Sequence, residues 1–280
     1  LALIFAICIF GGSKQISKIT GVLVPVMGVF YIVVALFIVI THINLLPGVI
    51  ISIVKGAFDF EAIFGGFAGS AIMQGIKRGL FSNEAGVGSA PNAAASAGVS
   101  HPVKQGLVQM LSVYIDTIVI CTATGFMLLC SGVAPGEDIA GMPYVQEAAR
   151  NSLGSFGTIF ITVALFLFAF TTLIGNFYYA EMGLGYICDH TPGKKLMNVF
   201  RVVAALIVCV GANMEFSVAW DTADVLMGLM ALINLPVILI LAKPAILCMQ
   251  DYIKQKRAGK NPVFRKKDIG LKTKTDFWND

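Results

Sequence analysis

Long apolar stretches separated by short polar ones dominate the pattern of this chain. Residues 19–40 and 156–180 contain no charged side chain, and residues 105–131 contain only Asp116. A helix of about 20 mostly apolar residues is long enough to cross the hydrocarbon core of a bilayer. The pattern therefore predicts an all-α polytopic membrane protein. A partial helix is expected at residues 1–10, followed by six full spans at residues 19–40, 62–76, 105–131, 156–180, 199–214 and 225–242.

Basic residues fall on one side of these predicted spans. If the spans alternate in direction, Lys14, Lys77 and Lys194 lie on the same side as residues 250–280, which hold nine of the twenty Lys and Arg residues. Cytoplasmic loops carry an excess of Lys and Arg. The charge pattern thus predicts a solvated, cytoplasmic C-terminal tail. Residues 41–60 would lie outside, where their apolar part is expected to form a surface or re-entrant helix.

The composition narrows the class of protein further. Hydrophobic residues make up 57% of the 280 residues and charged residues 13%, against about a quarter charged in soluble domains. This excludes a disordered chain, a coiled coil and an ordinary cytosolic enzyme, and it predicts one transmembrane domain over residues 1–280. The expected surroundings are the lipid bilayer, with no nucleic-acid partner.

The cysteines and histidines suggest no metal site. The six cysteines lack CxxC spacing, which argues against zinc and disulfides. We assign no chemistry to the three histidines, His42, His101 and His190.

The second predicted span, residues 62–76, is unusually rich in glycine. Gly65, Gly66 and Gly69 lie near its centre, and each glycine destabilises a helix interior by about 1 kcal/mol relative to alanine. Two interpretations remain open. The glycines let neighbouring helices approach closely, or the helix breaks there and exposes backbone groups to a ligand, as in interrupted transporter helices.

Asp116 is a carboxylate near the middle of the third predicted span. Insertion of such a charge at the bilayer centre costs about 2.5–3.5 kcal/mol, so a functional role is one hypothesis. The other is a structural hydrogen bond to a hydroxyl or backbone group on a facing helix.

Two adjacent threonines, Thr171 and Thr172, lie inside the apolar span at residues 156–180. A threonine in a membrane helix commonly bonds its own helix backbone. Together with the carbonyl of Phe168, however, the two hydroxyls offer several oxygens to a hard cation such as Na⁺.

The most distinctive segment is residues 78–95, RGLFSNEAGVGSAPNAAA, where small and polar residues follow the glycine-rich span. This segment resembles the alanine/glycine:cation symporter family, also described as sodium:alanine symporters or amino acid carrier proteins. The resemblance covers nearly the whole chain, which is similar to the C-terminal portion of such carriers. Ala180 departs from it, where glycine is expected before Glu181. Further similar segments lie at residues 101–106, 116–122, 168–181 and 220–234.

The resemblance implies a LeuT-like inverted-repeat fold in a bacterial or archaeal cell membrane. The chain would supply the second repeat and the preceding helix. The expected partner is then a missing N-terminal half of the same carrier.

The resemblance also implies symport of a small neutral amino acid, alanine or glycine, with Na⁺ or alternatively H⁺ as the coupling ion. The protein would not be an enzyme. The implied substrate-binding residues are Gly65, Gly66, Phe67 and Gly69. The implied Na⁺ ligands are Phe168, Thr171 and Thr172. The residues expected at a gate or at polar positions inside the membrane are Asn83, Glu84, Asp116 and Thr117.

Two alternatives remain open beside the symporter. One is a truncated, transport-inactive fragment of such a carrier. The other is a membrane-embedded enzyme or channel, which the sequence favours less because it contains no GxSxG or HExxH motif and no polar stripe along a span.

Overall fold

A computed structural model describes residues 1–11, 13–59, 71–134, 141–188, 192–271 and 278, with the side chains of residues 13–19 left out. Within these ranges every regular element is helical, as the apolar pattern predicts. The α-helices are α1 (Ala2–Phe10), α2 (Ser13–Thr41), α3 (Leu46–Ala57), α4 (Ala71–Asn83), α5 (Ala90–Ala94), α6 (Pro102–Tyr114), α7 (Thr122–Cys130), α8 (Met142–Leu153), α9 (Ser155–Ile187), α10 (Lys194–Gly211) and α11 (Phe216–Arg257).

A π-helical segment, Ile115–Cys121, joins α6 to α7. The three pieces form one continuous helical stretch, Pro102–Cys130, of 29 residues. Short 3₁₀ turns lie at Ile43–Leu45 and Lys266–Ile269.

Among the residues that the structure describes, four helices are long and apolar enough to cross a membrane. Each overlaps one of the predicted spans, while α10 overlaps a fifth and α4 covers the end of the glycine-rich one. The chain therefore has the helices of a multi-pass membrane protein, and the number of crossings stays a prediction. The four candidate spans are Thr20–Thr41, Pro102–Cys130, Ser155–Ile187 and Phe216–Arg257.

The chain divides into two compact units. The first comprises Leu1–Ser82 and Ile115–Met214, and the second comprises Asn83–Tyr114 and Glu215–Asp280. Each unit is thus built from two separate stretches of sequence.

Helix α9 is the central element of the first unit. Its first half packs with α2, α7 and α8 around a buried cluster, and its second half packs with α1 and α10 around another. Such clusters arise because α9 is apolar on all sides, as expected of a membrane-spanning helix, so each face that meets another helix buries apolar side chains. The first cluster comprises Tyr31, Val34, Ile38, Met127, Ala149, Phe160, Ile161 and Ala164. The second comprises Phe5, Cys8, Ile9, Phe170, Ile174 and Phe177.

In the second unit, α11 packs beside α6 and extends to Arg257. Most of the described residues in the basic segment that follows are exposed, but Pro262 and Phe264 are buried, which the charge pattern did not indicate. The span predicted from hydropathy ends at residue 242, whereas the backbone of α11 stays helical for about four further turns.

The close packing of α8 against α9 depends on Gly157. The chain turns between these helices at Gly154, whose φ of +63° lies in the left-handed region that glycine adopts readily. Just beyond the turn, a Cβ atom on Gly157 would overlap the backbone carbonyl of Ala149. A side chain at position 157 would therefore push the two helices apart.

We expect Gly157→Ala to destabilise the protein by about 1–3 kcal/mol, the usual cost of overpacking a well-filled contact. The matched control is Gly175→Ala on the same helix, where a Cβ would meet nothing within 4 Å. The thermal midpoint in detergent should fall for the first variant and not for the second. Equal midpoints would show that α8 and α9 do not approach as described.

Candidate functional site

The predicted substrate-binding residues Gly65, Gly66, Phe67 and Gly69 lie outside the residues that the structure describes. Their role stays a prediction. The helix that follows them, α4, is described from Ala71.

The predicted cation ligands lie at the middle of α9. The hydroxyl of Thr171 donates to the carbonyl oxygens of Leu167 and Phe168, at 3.0 Å each. Thr171 is buried, whereas Thr172 is exposed, since successive residues on a helix point about 100° apart. The structure thus brings Thr171 and the Phe168 carbonyl together and turns Thr172 to another face.

The ring of Phe168 is held by a tyrosine that the sequence analysis missed. Tyr31 of α2 packs edge-to-face on Phe168, with ring centroids 5.4 Å apart. Thr124 of α7 donates its hydroxyl hydrogen to Ile120 O at 2.9 Å, so the 2.7 Å contact between Tyr31 and Thr124 has Tyr31 as the donor. This arrangement fixes α2 and α7 beside the candidate ion site.

Asp116 lies in the first turn of the π-helical segment. Ser82, near the end of α4, donates its hydroxyl to Asp116 Oδ2 at 2.7 Å and lies 3.5 Å from Cys121 Sγ. Of the two hypotheses for Asp116, the structure therefore supplies the structural hydrogen bond to a facing helix. It does not remove the functional one, because π-helical turns are rare and are frequently found at functional sites. Next to Asp116, Thr117 is exposed, and its carbonyl accepts a hydrogen bond from Thr122 at 3.2 Å.

The predicted gate residues Asn83 and Glu84 form the junction between α4 and the following loop. Helix α4 ends at Asn83, and Glu84 adopts a left-handed φ of +50°, which is uncommon for a residue other than glycine. The Glu84 carboxylate accepts a hydrogen bond from the Ser89 hydroxyl. Because this contact ties both ends of the loop together, residues 84–89 form a closed turn.

The same loop is attached to α11 through Asn234. The side-chain amide of Asn234 donates to Gly86 O at 2.9 Å. Gly88 has a φ of +101°, and a Cβ there would lie 2.9 Å from Asn234 Cγ. In the sequence, Asn234 fell within residues 220–234, a segment that resembles the symporter family. Nothing in the local pattern indicated its contact with residues almost 150 positions away.

Long apolar helices that carry isolated polar side chains define this chain as a multi-pass membrane protein. The chain belongs to the sodium:alanine symporter family, which it matches over residues 1–266. The members of that family are transporters rather than enzymes.

Several relatives show the same affiliation. The chain is 47% identical over 281 residues to the amino-acid carrier protein AlsT of Bacillus subtilis. This match covers 100% of the chain and 59% of AlsT. It is 44% identical to the probable sodium/glutamine symporter GlnT of the same organism, over 95% of this chain and 55% of the relative. It is 41% identical to the sodium/alanine symporter AgcS of Methanococcus maripaludis, over 86% of this chain and 53% of the relative. The chain thus spans a little more than half the length of each of these relatives.

We expect Gly88→Ala to destabilise the second unit, because it combines an unfavourable φ with a collision against Asn234. Gly98→Ala is the matched control, since a Cβ there meets nothing within 4 Å. Adding Asn234→Ala should relieve the closest part of the collision, with Cγ and Oδ1, so the double variant should be less destabilised than the sum of the two single variants. Thermal unfolding in detergent measures this. Strict additivity would show that the loop and α11 are not in contact.

Proposed function

We propose that this chain acts in a secondary active symporter that couples uptake of a small neutral amino acid, alanine or glycine, to Na⁺. The family match over residues 1–266 carries this proposal. The names of the relatives support it, since AgcS is a sodium/alanine symporter and AlsT is an amino-acid carrier. We place the protein in a bacterial or archaeal cell membrane with its C-terminus in the cytoplasm.

The proposed architecture is a LeuT-like inverted repeat. In such folds the substrate and ion sites lie near the bilayer midplane, at helices that are interrupted. Two features agree with this arrangement. The glycine-rich segment before α4 is suited to an interruption, and the π-helical segment Ile115–Cys121 departs from regular α-helix inside a candidate span.

The proposed Na⁺ ligands are the carbonyl of Phe168 and the hydroxyls of Thr171 and Thr172. A hydroxyl that donates its hydrogen to the backbone keeps its oxygen lone pairs free to accept or to ligate. Thr171 is in that state. Because Thr172 faces away from Thr171, a cation held by both requires small adjustments of α9, or each hydroxyl acts with oxygens from other elements.

The proposed substrate pocket is formed by Gly65, Gly66, Phe67 and Gly69. Glycines leave space for a small side chain and expose backbone amides to a carboxylate. GlnT is named for glutamine, so the size of the pocket is the property to test. We expect alanine and glycine to compete for transport more strongly than glutamine.

Asn83, Glu84, Asp116 and Thr117 are proposed as polar groups that act when the transporter opens and closes. The Ser82–Asp116 bond holds the end of α4 to the π-helical segment. Glu84 and Ser89 close the following loop. Both contacts must be kept or exchanged if α4 moves during transport.

Uptake of radiolabelled alanine into liposomes tests the proposed function. The two samples are this chain and a chimera in which it replaces the aligned part of the Bacillus subtilis carrier AlsT. An inward Na⁺ gradient should drive alanine accumulation by the chimera, and an equal K⁺ gradient should not. A folded, inserted chimera without Na⁺-dependent uptake would contradict the proposal, and uptake driven equally by a proton gradient would replace Na⁺ by H⁺.

We expect Thr171→Val combined with Thr172→Val to raise the Na⁺ concentration for half-maximal uptake by about tenfold or more. The reason is that a contact to a charged group contributes about 1.5–3 kcal/mol. Thr162→Val is the control, because Thr162 lies on the same helix and makes the same bond to the backbone one turn back, at 2.7 Å. The measurement is the initial rate of alanine uptake against Na⁺ concentration. Unchanged Na⁺ dependence in the double variant would make both hydroxyls structural.

A further inference from the structure

In the second unit, the segment after α11 folds back onto the residues that precede α6. The backbone N–H of Phe264 donates to Ser100 O at 2.9 Å, and the Ser100 hydroxyl donates to Pro262 O at 3.0 Å. Lys104 donates to the Asn261 side chain at 2.6 Å and to the Ser100 hydroxyl at 2.7 Å. We call the contact between residues 261–264 and residues 100–104 the clasp.

Gln255, in the last turns of α11, holds the clasp from the other side. Its amide nitrogen donates to Val263 O at 2.9 Å, and its amide oxygen accepts from Val263 N–H at 3.0 Å. The same amide nitrogen lies 2.8 Å from Asp251 Oδ2. A single side chain therefore pairs both backbone groups of Val263 and links them to a carboxylate.

His101 lies at the centre of the clasp, with its side chain 0% exposed. Its Nδ1 accepts the backbone N–H of Val103 at 3.2 Å, so its proton is on Nε2, which donates to Asp251 Oδ2 at 3.3 Å. The rings of Tyr252 and Phe264 pack edge-to-face against the imidazole, with centroids 5.2 and 5.3 Å away. The neutral ring thus has a partner for each nitrogen and an aromatic neighbour from both α11 and the tail.

We propose that the clasp is operated by a proton. Neutral His101 holds residues 261–264 against the start of α6 and the end of α11, and protonation of His101 releases them. Helix α6 begins the candidate span Pro102–Cys130, and α11 forms the candidate span Phe216–Arg257. Release therefore frees one end of each of these two membrane helices. This inference concerns regulation and does not depend on which substrate is carried.

The contacts explain why a protonated ring fits poorly. A hydrogen on Nδ1 would face the N–H of Val103, and two donors would then oppose each other. The positive ring would also lie at the N-terminus of α6, where the helix dipole disfavours cations, and near the ammonium of Lys104. Asp251 attracts the positive ring, but its carboxylate already accepts a hydrogen bond from Gln255.

The direction of the pH effect follows from the burial. Desolvation lowers the pKa of His101, and it outweighs the opposite effect of Asp251. A histidine that is free of the clasp has a pKa of about 6.5. The closed clasp therefore binds fewer protons than the open one, so it is fully favoured above that pH and is lost as the pH falls below it.

Trp278 provides a direct probe of this change. Its ring packs edge-to-face on Phe264, with centroids 5.5 Å apart, and the chain contains only one other tryptophan, Trp220. The full chain carrying Trp220→Phe is placed in detergent, and the emission of Trp278 is recorded from pH 8 to pH 5. We expect a red shift at acidic pH as the ring becomes exposed to water.

Three variants assign the change to His101. His101→Asn keeps an acceptor for the Val103 N–H, since Asn is a favourable residue at a helix N-cap, but it cannot titrate, so the red shift should disappear. Asp251→Asn removes the charge that stabilises the protonated ring inside the closed clasp, so release should occur at a higher pH than in the parent. His42→Gln with His190→Gln leaves His101 as the only histidine and should change nothing.

The proposal is overturned if the emission does not change between pH 8 and pH 5, or if the His101→Asn variant shows the same change as the parent. If His101→Asn does not fold, the Asp251→Asn variant decides the matter. An unshifted transition in that variant would also overturn the proposal.

Discussion

Hydrogen-bonding groups inside apolar helices need partners from the protein itself, because the hydrocarbon core of a bilayer offers none. An unpaired polar group buried there costs several kcal/mol. In this chain Asp116 is paired with Ser82, and Asn234 is paired with the backbone of Gly86. Each pair joins elements that are far apart in sequence. The need to pair polar groups therefore determines which elements lie together, because apolar packing alone is not specific.

Helix α9 shows how this constraint meets the proposed chemistry. Apolar clusters form along both halves of the helix, and Thr171 is buried next to Phe170 of the second cluster. Its hydroxyl is satisfied within α9 itself, so it needs no partner in the resting arrangement and its oxygen remains available to an ion. The ring of Phe168 beside it is held in place by Tyr31.

The helical class and most helix positions followed from the sequence, because long apolar runs in a membrane protein have few other solutions. Helix ends were less predictable. Helix α11 runs from Phe216 to Arg257, although its apolar core suggested only residues 225–242, because a helix continues into polar sequence wherever its backbone bonds are kept. The π-helical segment had no local signal in the sequence. The burial of Phe264 had none either, because it involves contacts distant in sequence, such as the hydrogen bond to Ser100 O.

The candidate site was predictable as a set of residue types rather than as a geometry. Asp116 was identified as an unusual charge, and its hydrogen bond to a facing helix was one of two hypotheses. The partner, Ser82, lies 34 positions earlier and has no distinguishing pattern of its own. Likewise, the adjacent threonines were identified from their hydroxyls, while the divergence of Thr172 from Thr171 follows from helix geometry.

The interaction between Ser82 and Asp116 tests most directly the claim that polar pairs within the apolar helices hold them together. The measurement is a double-mutant cycle on the free energy of unfolding, with Ser82→Ala, Asp116→Ala and both together. Ser112→Ala paired with Asp116→Ala is the control, because Ser112 bonds only the backbone of its own helix in the contacts described. The account predicts a coupling of about 0.5–3 kcal/mol for Ser82 with Asp116 and none for the control pair. Additive effects for Ser82 and Asp116, within about 0.3–0.5 kcal/mol, would contradict it.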